Sequence, residues 1–466
     1  MVTDRQGNCL SNASAGAADL FDAAVRSLNI YCGDPLARLD EAIADSPAFA
    51  QAHLLKGFIL ALATEPAATQ AARRVASSIG GIRLNDREAS QSAILEHLLV
   101  GNWSAAATGM DHHNMRHPRD LVGLQIGHLM DFERGSARDL RDRLARVMPH
   151  WSSEVPGHHA VIGMYAFGLE ETADYARAEE TGRQALDLEP LDAWAHHAVA
   201  HVMEMQGRPE DGVGWMRARQ PHWARDDNFF KVHNWWHGAL CHLDLQQFDA
   251  ALDLYDGPIR ANLSHVALDL VDASALLWRL HLCRVDVGDR WQELASCWDE
   301  HADGRLYPFN DLHAAMAYLG AGREGRLKEL VVAMELNAGG ATDTAHWIDA
   351  IGLPLVRGFT EFWREQYESC VETLHPVRFI ANNFGGSHAQ RDVIDWTLTE
   401  AALRSGHPDV ATALAHERAA LKPHSSVNRE LLRRAARLPI AAPTALKLQR
   451  ITSTVTTAAP NSSRQS

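Results

Sequence analysis

Trp194-Ala195-His196-His197-Ala198-Val199-Ala200-His201-Val202-Met203-Glu204, His233-Asn234-Trp235-Trp236-His237 and Asp269-Leu270-Val271-Asp272 stand in register along the chain. His197 to His233 is a step of 36 residues, His201 to His237 is 36 again, and His233 to Asp269 repeats it. That step is close to the period of a helix-turn-helix repeat, in which one unit cannot bury its apolar face alone and stacks on the next. Within each segment the pairs His197/His201 and His233/His237 are spaced i,i+4, so both rings leave one face of their helix. Stacked repeats would therefore line imidazoles and carboxylates along a single wall.

Outward from this stretch the same reading holds. Ala, Leu, Glu, Arg and Gln dominate windows with a helical period, and strand-like alternation is rare. Turn residues recur as Gly33-Asp34-Pro35, Gly101-Asn102, Glu189-Pro190, Gly207-Arg208-Pro209, Gly320-Ala321-Gly322 and Gly406-His407-Pro408. Trp103, Ala106 and Pro118 have the same offsets, 3 and 15, as Tyr175, Ala178 and Pro190. Phe248, Ala251 and Tyr255, and Tyr367, Cys370 and Leu374, echo the first part of that pattern. An aromatic opening the second helix, a small residue three later and a closing proline are what tetratricopeptide (TPR) units require. The fold class expected is all-α, a TPR-like α-solenoid of stacked helix-turn-helix repeats forming a superhelix. Helix pairs are expected from 19–44 through 388–421, with a last helix over 426–437. The division expected is an N-terminal extension over 1–18, one superhelical domain over 19–437 and a largely disordered tail over 438–466, where little apolar material is available to bury.

The chain of 466 residues is 46% hydrophobic and carries a net charge of −15. Without a basic surface it is not expected to bind nucleic acid or an anionic membrane. It lacks a signal-like apolar run at its start and any run long enough to span a bilayer, so a cytoplasmic protein is expected. Six cysteines without a C-x-x-C pair read as thiols of a reducing compartment. Histidine is the unusual residue, 26 against 7 Tyr.

The motifs His201-Val202-Met203-Glu204-Met205, His233-Asn234-Trp235-Trp236-His237, Leu268-Asp269-Leu270-Val271-Asp272, Trp278-Arg279-Leu280, Phe309-Asn310-Asp311-Leu312-His313 and Gly385-Gly386-Ser387-His388-Ala389-Gln390-Arg391-Asp392-Val393 occur together in this order. As a set they resemble the tetratricopeptide repeat protein 38 family over residues 20 to 435. The resemblance implies a TPR-like all-α fold and brings no settled activity. Where that family carries Asn in the Gly-Gly-Ser-Asn-Ala-Gln-Arg-Asp motif, this chain has His388, a titratable group beside Arg391.

The candidate catalytic groups are His197, His201, His233 and His237, with Asp269 and Asp272 orienting them. The candidate substrate-binding groups are Glu204, Arg279, Asp311, His313, His388, Gln390 and Arg391, the two arginines suiting an anionic ligand. The plainer alternatives are core histidines bonded to neighbouring helices, structural ion pairs at Asp272 and Arg279, a helix cap at Asp311, and a glycine-capped connection at Gly385-Gly386-Ser387. His113 and His117 read as a solvated face, and Trp194, Trp235, Trp236 and Trp278 as packing. The leading expectation is an interior pocket that binds or acts on a small anionic molecule by acid/base chemistry. The alternatives are a scaffold holding a peptide or protein partner in its concave groove, and a His/carboxylate metal site. No residue is assigned as a metal ligand and no cofactor is named, because H-E-x-x-H and Cys/His finger spacings are missing. Walker, dinucleotide and Gly-x-Ser-x-Gly motifs are missing too.

Overall fold

A computed structural model describes residues 2–438. The expected tail therefore lies almost wholly outside the described residues. Among those described the helices pair into eleven hairpins, from Ala15–Ile30 with Pro35–Asp45 to His388–Ser405 with Pro408–Leu421, closed by Ser426–Ala435. Extended structure is confined to two isolated bridges, Thr3 with Cys9 and Cys32 with Asn228. The chain is an all-α, TPR-like solenoid of stacked helix-turn-helix units. No described helix is long and apolar enough to cross a membrane, and no disulfide joins the described cysteines.

The repeat pattern read from the sequence marks real packing points. Ala106, Ala178, Ala251 and Cys370, the small residues three after the aromatic, are each at 0% exposure. A side chain that small lets the second helix sit close against its neighbours, and a larger one would overpack the crossing. The first helix begins earlier than expected. Ser14 accepts from the Ala17 N–H and caps Ala15–Ile30, and Ala17 and Ala18 are buried, although a run of small residues leaves little periodic signal.

First helices form the inner layer and second helices the outer one. In Ala193–Met205 every residue from Ala193 to Met203 is buried, whereas in the partner helix Pro209–Trp223 only Pro209, Gly212, Met216 and Trp223 are. Polar groups on the inner helices consequently face other protein groups rather than solvent. The superhelix also closes on itself. Tyr31 stacks on Trp194 at 5.7 Å, and Gly33 N–H donates to Asp227 O at 2.8 Å. Asn310 Nδ2 donates to Thr64 O at 3.0 Å, and Tyr307 OH donates to Glu133 O at 2.9 Å. Early units thus pack against late ones, and the concave side is occupied by the chain's own residues.

Candidate functional site

Three consecutive inner helices, Ala193–Met205, Lys231–Asp244 and Ala267–Leu282, carry the centre. Asp192 caps the first by accepting from the Ala195 N–H at 3.0 Å. This sets the register that points His197 and His201 at the next unit. His197, His201, His233 and His237 are at 0%, 0%, 2% and 1% exposure, and one ring nitrogen from each lies within 4.8 Å of the others. The Nε2 atoms of His197 and His233 are 3.1 Å apart, and those of His233 and His237 are 3.3 Å apart.

Carboxylates hold the far side of these rings. His233 Nδ1 lies 3.0 and 2.8 Å from the two oxygens of Asp272, and His237 Nδ1 is 3.1 Å from Glu204 Oε2. A ring nitrogen facing an acceptor-only carboxylate carries the proton, which leaves Nε2 of both rings as lone pairs. Two lone pairs then face each other across 3.3 Å, a repulsive arrangement unless a cation or a proton sits between them. His201 Nδ1 approaches Glu170 Oε2 at 3.4 Å. Among the described residues, neither nitrogen of His201, neither oxygen of Glu170 and not Nδ1 of His197 has a hydrogen-bond partner. Buried polar atoms are rarely left in that state.

Burial keeps the His197, His201 and His237 rings neutral. Burial, then the neighbouring His201, lowers His237 to about 3. Burial lowers His201 to about 4, and burial followed by the other three imidazoles holds His197 well below its usual value. Glu204 goes the other way. Burial alone would raise it, but the Lys422 ammonium at 3.3 Å and the bond from His237 hold its carboxyl well below the usual carboxylate range. Burial and the adjacent Glu171 push Glu170 well above its usual value. Against burial, His388 and Arg391 keep Glu171 low.

The other sequence candidates are placed differently. Asp269, expected to orient an imidazole, bonds to Ser264 instead, and burial raises it to about 6. Arg279, expected as an anion clamp, is spent on backbone. It donates to Ala275 O at 3.1 Å and Ala389 O at 2.7 Å, and lies over the Trp236 ring. Arg391 donates to Gly386 O and sits 3.5 Å from Glu171. Gln390 completes a capping box with Ser387, and the His388 backbone N–H donates to Glu171 at 2.9 Å. Asp311 is inside its helix rather than at the cap, which is Tyr307, and accepts from the Gly304 N–H at 3.1 Å. His313 Nδ1 donates to Phe309 O at 2.8 Å.

Gly385, at φ +109°, leaves no room for a Cβ between Tyr307 and Glu133 O. The Gly-Gly turn is a packing requirement as well as a cap. The solvated reading of His113 is corrected. It is buried, 3.0 Å from Asp120 Oδ2, because the acid that caps the next helix is buried and needs donors. Trp194, Trp236 and Trp278 are buried packing residues.

Lys422, Glu170 and Glu171 were not among the sequence candidates. Lys422 meets Glu204 from 218 residues away, so no local spacing announces it. Glu170 and Glu171 sit on the inner helix His158–Glu171, outside the 36-residue register. A cavity of about 40 Å³ adjoins the centre beside Glu204, Arg279, Asp392, Arg418 and Lys422. Its lining sets Asp244 with Glu204 and Asp392 against these three cations, so it holds no surplus charge for an anion.

No family model matches the chain. The cellulose synthase operon protein C of Komagataeibacter sucrofermentans and that of Komagataeibacter xylinus are each 30% identical to it over 92 residues, 20% of this chain and 7% of the relative. The chain thus matches only a small fraction of the length of these curated relatives. Among solved structures, the APC/C hetero-tetramer Cut9-Hcn1 is similar at TM-score 0.43 and 13% identity, over 90% of this chain and 76% of that one. The human IFIT1 dimer with m7Gppp-AAAA is similar at TM-score 0.40 and 13% identity, over 90% and 94%. The TPR-like class rests on the packing of the chain's own helices.

Proposed function

We propose that this TPR-like protein is a metal-binding protein whose centre is the four-imidazole cluster of His197, His201, His233 and His237. The observation that carries the reading is the pair of Nε2 separations, 3.1 and 3.3 Å. Four nitrogens at ~2.0–2.1 Å from a tetrahedral zinc-like ion are ~3.3 Å from one another. Metal ligation needs neutral imidazoles with an outer carboxylate on the other ring nitrogen. Burial holds His197, His201 and His237 neutral, and Asp272 and Glu204 stand behind His233 and His237.

The acid/base reading fits less well. A general base works best with a pKa near the working pH, whereas His237 is lowered to about 3 and His201 to about 4. The peptide-scaffold reading has the fold alone behind it. The concave side is filled by the chain, and the outer groove of about 1210 Å³ mixes Glu324, Glu335 and Asp349 with Lys328, Arg357 and Arg364, which selects no class of partner. The motif resemblance to the tetratricopeptide repeat protein 38 family belongs to this proposal as a working relationship.

The test is metal content. Protein stripped with a chelator and reloaded with zinc is expected to retain at least one equivalent after gel filtration and to unfold at higher temperature than the stripped form. His233→Ala with His237→Ala should lose that equivalent. A wild-type chain that retains no divalent ion sinks the proposal.

A further inference from the structure

Glu170 and Glu171 are the last two residues of the helix His158–Glu171. The helix dipole is negative at that end, so two adjoining carboxylates there are doubly disfavoured. Both are buried, Glu170 at 0% and Glu171 at 3% exposure. Glu171 is answered by the His388 N–H at 2.9 Å, by His388 Nδ1 at 3.3 Å and by Arg391 at 3.5 Å. Among the described residues neither oxygen of Glu170 has a hydrogen-bond partner, and the ring nitrogen near it, His201 Nδ1 at 3.4 Å, has none either. A protonated Glu170 would still have an O–H to place, and it makes no such bond.

Ligand atoms of Glu170, Glu171 and His201 lie within 4.8 Å of one another, and His201 also belongs to the four-imidazole group. With Nδ1 turned to Glu170, Nε2 is the nitrogen left for the imidazoles. We infer that Glu170, Glu171 and His201 Nδ1 form a second divalent-cation site, joined to the first through the His201 ring and completed from the solvent side by His388. This rests on the metal reading of the four-imidazole centre. The His388 side chain is 41% exposed although its Nδ1 is buried, so a turn of that one ring would open to solvent a site that the buried imidazole centre does not offer. Arg391 beside Glu171 makes the second site the weaker one. Filling it removes the remaining ring proton of His201 and any proton on Glu170, and both leave to solvent.

Zinc titration of the chelator-stripped full chain, read by calorimetry in two buffers of different ionisation enthalpy, is expected to give two equivalents. The weaker step should release more protons. Glu170→Gln should bind one equivalent with the tight step unchanged. Copper(II) supplies a second readout on the unaltered chain: two ions sharing one imidazole couple, so the electron paramagnetic resonance signal of the first equivalent should fall as the second is added. One equivalent in the wild-type chain, two in Glu170→Gln, or a second copper signal that simply adds to the first would each overturn the shared site. No equivalent at all would instead remove the underlying four-imidazole reading.

Discussion

His233 and Asp272, on neighbouring inner helices, meet through two contacts of 3.0 and 2.8 Å from one ring nitrogen. Both groups are essentially buried, so the carboxylate fixes the tautomer of the ring and leaves Nε2 as a lone pair aimed at His197 and His237. Asp272→Asn keeps the shape and removes the two-oxygen acceptor. Metal affinity measured by competition with a chelator is expected to fall roughly 10- to 100-fold, with the helical circular dichroism unchanged. Equal affinity in the variant would take Asp272 out of the centre.

Lys422 is largely covered, at 12% side-chain exposure, beside Glu204 and draws that carboxylate down. Lys422→Met leaves Glu204 without its cation, and the expected loss of unfolding free energy is about 3–5 kcal/mol. Adding Glu204→Gln should return part of it, since a neutral amide needs no counterion. A double-mutant cycle in urea reads the coupling, and strictly additive losses would mean that the pair is incidental.

Arg279 supplies donors to helix carbonyls on two elements, Ala275 O and Ala389 O. Lysine cannot reproduce that fork, so Arg279→Lys should cost about 2–3 kcal/mol in equilibrium unfolding while metal content stays at the wild-type value. Stability unchanged with metal lost would reverse the assignment and make Arg279 part of the centre.

His128 and His313 lie outside the imidazole cluster and are buried. Burial lowers His128 to about 3 and His313 to about 4, from 6.5. Between 6.5 and those values the unfolded chain takes up protons that the folded chain does not, so stability rises with pH across that window and is lost on acidification. Each group adds about 1.4 kcal/mol per pH unit to the slope. His313→Gln should flatten the stability profile between pH 6 and about 4 by that amount. A profile identical to wild type would show that His313 is protonated in the folded chain.

The hairpin boundaries were legible in the sequence because turn chemistry and the 36-residue step are local. Tyr175, Ala178 and Pro190 say where a second helix starts, crosses and ends without knowledge of its neighbours. The convergence of His197, His201, His233 and His237 was legible for the same reason, since equal register on stacked helices places equal positions side by side. Asp269 marks where this stops. The register pairs it with His233, yet the acid that arrives is Asp272, a turn further along. Helices in a superhelix cross at an angle, so a register that holds from His197 to His233 has drifted by the next helix. Lys422 comes to the centre from a segment with no spacing relation to it, and Glu170 from the end of the preceding inner helix, off the register of the imidazoles. Arg279 is consumed in part by the Ala389 carbonyl, which only the fold brings near, whereas Arg391 is consumed by the carbonyl of Gly386 in its own turn. Sequence by itself determined which side chains share a wall; tertiary packing decided which of them find partners, because a buried polar atom is costly unless some group the fold delivers from a distance matches it.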